Sequence, residues 1–139
     1  TKIMKYIKII IVMLFLTICL CGCSEKEKAG ILFNKEPITK MNVMHASRTF
    51  EVGERIYYLF YTPEKITTEF IRVQVFKAAD NTPVGGYSIV WTGDYRIMKQ
   101  NMYYYYNNFV LHSPGRYVMQ VFEIDNLSEP LAWNFFYVR

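Results

Sequence analysis

The sequence predicts an all-β domain: a sandwich of about seven antiparallel strands behind a short apolar leader. Three observations carry this. From about Ile38 onward the chain is rich in Tyr, Phe, Val and Ile, residue types that suit a pleated, half-buried surface. Gly, Pro, Asn and Asp punctuate that stretch at the spacing of short strands. No segment of it keeps apolar residues at helical spacing.

The leader comes first. Lys2, Lys5 and Lys8 form a positive start, and Ile9 to Leu20 follows as twelve residues without a charge. That length matches the apolar core of a secretory signal and falls short of the roughly 20 residues of a spanning helix. Ser24-Glu25-Lys26-Glu27-Lys28 ends the run. At its close stands Leu20-Cys21-Gly22-Cys23, a small residue followed by cysteine. This resembles the lipobox of bacterial lipoproteins. The resemblance implies cleavage before Cys23 and a lipid thioether, with palmitate-type acyl chains, at Cys23. Two or more acyl chains anchor a protein stably, so the expected partner is a membrane held through Cys23. Ser24 stands where Asp would signal inner-membrane retention, which implies the outer membrane in a Gram-negative host. The expected location is the bacterial cell envelope.

All three cysteines, Cys19, Cys21 and Cys23, lie in this leader. The domain beyond it therefore has no cysteine for a disulfide or a metal site and must be held by its core. The net charge of +4 is also largely the leader's. Without its three lysines, thirteen basic residues face twelve acidic ones, spaced and mixed. A clustered basic face is what nucleic-acid binding requires, and none is present, so nucleic acid is not an expected partner. The expected organisation is a signal peptide over 1–22, a lipid-anchored tether over 23–37 and one domain over 38–139.

Within the domain, Met41 to Phe50 reads as a first strand, ending at Val52-Gly53-Glu54. Arg55 to Tyr61 is a nearly continuous apolar run, expected to be buried on both faces or to meet a partner. Thr62-Pro63-Glu64-Lys65 breaks it. Phe70 to Phe76 alternates, with Ile71, Val73 and Val75 on one face and Arg72 and Gln74 on the other. Asp80-Asn81-Thr82-Pro83 turns the chain. Tyr87 to Thr92 is a fourth strand and Gly93-Asp94 a turn. Met102 to His112 is a fifth, and Ser113-Pro114-Gly115 a tight turn. Arg116 to Ile124 places Tyr117, Met119 and Val121 together. Leu131 to Val138 is the seventh, with Trp133, Phe135 and Tyr137 on one face.

The run Phe109-Val110-Leu111-His112-Ser113-Pro114-Gly115-Arg116-Tyr117-Val118-Met119-Gln120-Val121 resembles the penultimate-strand region of bacterial immunoglobulin-like and fibronectin-III-like domains. There Pro-Gly-x-Tyr begins a strand. The resemblance implies an immunoglobulin-like β-sandwich, with Pro114 and Gly115 shaping the turn. It implies that Tyr117 is a corner tyrosine, its ring in the core and its hydroxyl on backbone. The paired cysteines of antibody domains are missing, and a small Greek-key barrel stays open.

Chemistry-bearing residues are sparse. His45 and His112 are the only histidines and lie far apart, so no metal site is expected. There is no Gly-x-Ser-x-Gly elbow and no His-Glu-x-x-His, and Gly85-Gly86 is not followed by the Lys and helix of a phosphate loop. Glu51 and Glu54 read as solvated turn residues. No cofactor and no enzymatic activity are expected. Tyr103-Tyr104-Tyr105-Tyr106 is the one unusual run: strand geometry sends two rings inward and two outward. The outward pair, with Tyr57, Tyr61 or Tyr95, would make an aromatic binding surface; the plainer reading is that these rings fill a disulfide-free sandwich. Trp91 and Trp133 are expected in the core. The expected function is a non-catalytic envelope protein binding a protein or glycan. The alternatives are an enzyme inhibitor using a loop such as Asp80 to Gly86, a structural accessory, or an unrecognised hydrolase.

Overall fold

The structure is a computed structural model that describes residues 2–19, 28–79, 86–99 and 102–139. Cys21, Gly22, Cys23 and Ser24, on which the expectation of a lipid anchor rests, lie outside these residues, as does most of the Asp80–Gly86 loop. Near the N-terminus one helix, α1 (Lys2–Cys19), is free of Gly and Pro. Among the described residues no helix is long and apolar enough to cross a membrane.

The rest is β. The strands are β1 (Gly30–Asn34), β2 (Thr49–Phe50), β3 (Arg55–Tyr61), β4 (Phe70–Ala78), β5 (Tyr87–Arg96), β6 (Tyr104–Val110), β7 (Gly115–Glu123) and β8 (Ala132–Val138). They form two sheets, one ordered β1-β3-β6 and the other β2-β8-β7-β4-β5. Every pairing is antiparallel except β2 with β8, which is parallel over two residues.

Several expectations are corrected. The segment 23–37 is not all tether, because β1 lies within it, pairing Ile31 with Phe60 and Phe33 with Tyr58. Ile31 and Phe33 are buried, so their apolar faces, and not the charges before them, decide the segment. Met41–Phe50 is not one strand. Residues 40–44 form a turn, the Asn42 side chain accepting from the Thr39 amide at 2.7 Å and donating to the Pro37 carbonyl at 2.9 Å. Only Thr49–Phe50 is extended. Gly93-Asp94 is not a turn but mid-strand in β5. Gly93 lacks the Cβ that would strike the Tyr95 ring, and Asp94 meets Arg72 across the strand pair at 2.8 Å.

Alternation sets the core. Ile56, Tyr58 and Phe60 of β3 face Ile71, Val73 and Val75 of β4 and Tyr117, Met119 and Val121 of β7 across the sandwich. β3 is therefore buried on one face, with Tyr57 and Leu59 half-buried on the other. Phe136 stands at the centre, 4.7 Å from Phe33 and 5.4 Å from Tyr117 between ring centroids. Trp91 packs against this core, 5.8 Å from Phe109. Trp133 does not: it is 61% exposed.

Candidate functional site

His45 and His112 are both exposed, on different connections. No group of three His, Cys, Asp or Glu gathers among the described residues. Asp94 is occupied by Arg72, which holds its carboxyl below the usual range. Glu54 folds back to accept from the Glu51 amide at 2.8 Å. Among the described residues, nothing pairs a nucleophile with a base, or two carboxylates in a cleft.

The tyrosines divide between the two sides of the three-stranded sheet. Tyr57, Tyr61, Tyr104 and Tyr106 point away from the core, with Tyr61 over Gly30 and Tyr104 stacked on Tyr106 at 6.4 Å. Tyr103 is exposed in the turn before β6. Tyr95 and Tyr105 turn inward, 5.2 Å apart, beside Tyr58. The seven nominated rings are therefore not one surface, because β6 begins at Tyr104 and sends alternate residues to opposite faces.

The inward group contains the Tyr58 hydroxyl, the one buried side-chain polar atom among the described residues with no hydrogen bond of good geometry. Burial pushes the Tyr58 phenol well above its ordinary value, and the neighbouring Tyr105 and Tyr95 phenols add to this. Tyr105 is raised by burial too, although Asn107 donates to its oxygen at 2.8 Å. Burial thus keeps these phenols protonated at neutral pH within a packed cluster.

The five-stranded sheet carries a different feature on its outer face. Register places four apolar residues in one row across four strands: Ile89, Phe76, Val118 and Phe135. One step along the strands on one side lie Gln74, Gln120 and Trp133; on the other lie Arg116 and Tyr137, with Tyr87 at the β5 end. Trp133 and Tyr87 rise as walls of a groove of about 440 Å³ floored by Phe76, Val118 and Gln120. Antiparallel sheets commonly turn a polar face to water, so an apolar row there is unusual. Arg48 lies 4.5 Å over the Phe135 ring, and Arg116 donates to the Tyr87 hydroxyl at 3.2 Å. No carboxylate among the described residues pairs with either guanidinium.

Sequence reasoning grouped Trp133, Phe135 and Tyr137 correctly but put Trp133 inside. In β8 the opposite face, Ala132, Phe136 and Val138, is apolar as well, so alternation alone does not say which side is core. The signal available was the polar member of the inner set. Asn134 turns inward, and its amide donates to the Ile31 carbonyl at 2.7 Å, tying β8 to β1.

No protein-family model and no curated protein sequence matches the chain. Among solved structures it is similar to the Pseudomonas fluorescens alkylpurine DNA glycosylase AlkC bound to DNA containing an abasic site analog. That match has a TM-score of 0.42 and 15% identity, over 88% of this chain and 33% of the glycosylase. It is also similar to a Kluyveromyces marxianus β-glucosidase in complex with glucose, at a TM-score of 0.42 and 14% identity over 81% of this chain and 14% of that one. The chain thus spans a third or less of each, and likeness at this level carries no argument about activity.

Proposed function

We propose that this chain is a lipid-anchored cell-envelope protein whose immunoglobulin-like sandwich recognises a macromolecular partner, protein or glycan, and catalyses nothing. The anchor reading is supported by the leader: three lysines, an uncharged apolar run and Leu20-Cys21-Gly22-Cys23. The immunoglobulin-like reading is supported by the split of the first strands, β1 in one sheet and β2 in the other beside the last strand. It is also supported by Tyr117, a buried ring whose hydroxyl donates to the Ser113 carbonyl.

The observation that carries the recognition reading is the apolar, Trp-walled outer face of the five-stranded sheet. Contiguous exposed apolar surface rimmed by polar groups marks interaction sites, and Trp, Tyr and Arg are the residues that dominate such sites energetically. The test has two arms in the native host. Cys23→Ala should release the protein from the membrane fraction and abolish lipid labelling; retention of both would defeat the anchor. Trp133→Ala should leave the fold and the anchor intact and remove cross-linked partners recovered with the wild-type chain. An unchanged partner set would defeat the recognition reading.

A further inference from the structure

We infer that the groove on the outer face of the five-stranded sheet takes an acidic glycan, a chain of pyranose units carrying carboxylates. Its rings lie against Trp133 and Tyr87, and a carboxylate meets the arginines at the end where β8 finishes. This rests on the recognition reading and names its ligand class.

Charge at that end selects an anion. Arg116 stands in register with Tyr137, and the Tyr137 amide donates to the Arg48 carbonyl at 2.7 Å, so two arginines flank one tyrosine. Both are exposed, and each guanidinium is held by an uncharged group: Arg48 by the Phe135 ring at 4.5 Å, Arg116 by the Tyr87 hydroxyl at 3.2 Å. Neither has a carboxylate partner among the described residues. A ring face takes the flat side of a guanidinium and leaves its in-plane N–H donors free, and one bond to a phenol leaves Arg116 most of its donors. Guanidiniums fixed in place without being neutralised suit a carboxylate, which they bind by paired hydrogen bonds. The far end differs. There Lys28 and Lys65 line the hollow beyond Trp133 together with Glu64 and Glu123, so both signs are mixed and the anion's place is the arginine end.

The groove leads to that end. The hollow of about 440 Å³ between Trp133 and Tyr87 is continued by a smaller one of about 140 Å³, which shares Tyr87, Val118 and Trp133 and is lined by Arg116. Concave apolar sites with a few placed polar groups bind ligands on this scale. The walls stand on β8 and β5, three strand spacings apart, about 14 Å between backbones.

The floor favours a glycan over a peptide. Phe76 and Val118 belong to β4 and β7, interior strands already paired on both sides. An extended peptide gains affinity by adding to an open sheet edge; over this floor its amides would face Phe76 and Val118 and stay unsatisfied. A pyranose ring turns its C–H face to an aromatic wall and its hydroxyls to the rim, where the Gln120 amide and the Tyr87 hydroxyl stand. Trp and Tyr, apolar in the body and polar at the tip, suit that division.

Titration calorimetry of the full chain in mild detergent tests the inference, with circular dichroism verifying the fold of each variant. The probes are oligouronates cut from polygalacturonate, alginate and hyaluronan. Their carboxyl-reduced neutral forms and an oligoglutamate peptide are the controls. At least one oligouronate should bind, and its neutral form should bind about tenfold more weakly, the scale of one charge-assisted hydrogen bond. Added salt should weaken the charged form alone. Arg116→Gln and Arg48→Gln should each bring the oligouronate toward the affinity of the neutral form and leave the neutral form unchanged, a difference that a loss of structure would not produce. Trp133→Ala should weaken both forms by about tenfold or more. Failure of every oligouronate to bind, equal affinity for charged and neutral forms, tighter binding of oligoglutamate, or indifference to Arg116→Gln and Trp133→Ala would overturn the inference. Should the oligouronates fail while Trp133→Ala still removes cross-linked protein partners, the ligand class alone falls. Should both fail, the recognition reading falls with it.

Discussion

The Tyr117 hydroxyl donates to the Ser113 carbonyl across 2.6 Å, and its ring lies nearly parallel to Phe136 at 5.4 Å. One side chain thus joins the turn before β7 to the centre of the core. The turn is held from the other side by Gly115, whose φ of +153° suits glycine and whose missing Cβ leaves room for the Lys77 side chain. Lys77 in turn donates to the Ser113 hydroxyl at 2.7 Å. The start of β7 is fixed by packing and hydrogen bonding together.

Removing only the hydroxyl isolates the second of these. Tyr117→Phe keeps the ring on Phe136 and leaves the Ser113 carbonyl to water at a half-open turn. It should lower stability by about 1 kcal/mol, the net worth of one such bond. The check is the denaturant midpoint, which should fall with the slope unchanged.

Two aromatic residues on opposite faces of β8 should behave differently. Phe136→Ala empties the centre of the core and should cost about 3–5 kcal/mol. Trp133→Ala removes a larger ring from a surface 61% exposed and should shift stability by no more than about 0.5 kcal/mol. Thermal denaturation of the two variants side by side measures the difference, and comparable losses would mean that β8 faces the other way.

Tyr58 supplies a pH dependence. Its phenol is raised above the ordinary 10.0 because burial penalises the phenolate first, with Tyr105 and Tyr95 adding to it. The folded state therefore holds this proton more tightly than the unfolded chain. Its stabilising contribution is complete below about pH 10 and is lost as pH rises beyond that, where only the unfolded chain ionises readily. Tyr58→Phe removes both the titration and a buried hydroxyl with no hydrogen bond of good geometry. It should be neutral or stabilising by up to about 1 kcal/mol at neutral pH. It should also flatten the loss of stability between about pH 10 and 12, although Tyr95 and Tyr105 keep part of it. Urea midpoints across that range provide the comparison.

The strands that were legible are those whose two faces differ in polarity. In β4, Ile71, Val73 and Val75 alternate with Arg72 and Gln74, and in β7 the inward set is separated by Arg116, Val118 and Gln120. Only one orientation buries the apolar set, so periodicity suffices. β8 and β6 carry aromatic residues on both faces, and there periodicity leaves the choice open. β1 was hidden for a different reason. Five residues after a charged segment have no distinctive period, and their strand conformation comes from pairing with β3 across a long sequence separation. Gly93 looked like a turn because a glycine's freedom is visible in sequence, whereas the Tyr95 ring that lies over it is visible only in the fold.

The same division runs through the candidate site. Composition and alternation alone determined an all-β chain with a charged, apolar, cysteine-ending leader, and they grouped Trp133, Phe135 and Tyr137 on one face. Tertiary structure decided that this face is the outer one and that four strands align Ile89, Phe76, Val118 and Phe135 into a row. It also decided that Arg48 and Arg116 stand beside them without carboxylate partners among the described residues. The physical reason is that alternation specifies which side chains share a side, while the identity of the buried side depends on what the opposing sheet presents. Here Phe33, Phe60 and the β1 carbonyl that Asn134 satisfies draw Phe136 inward, and Trp133 is turned to the surface.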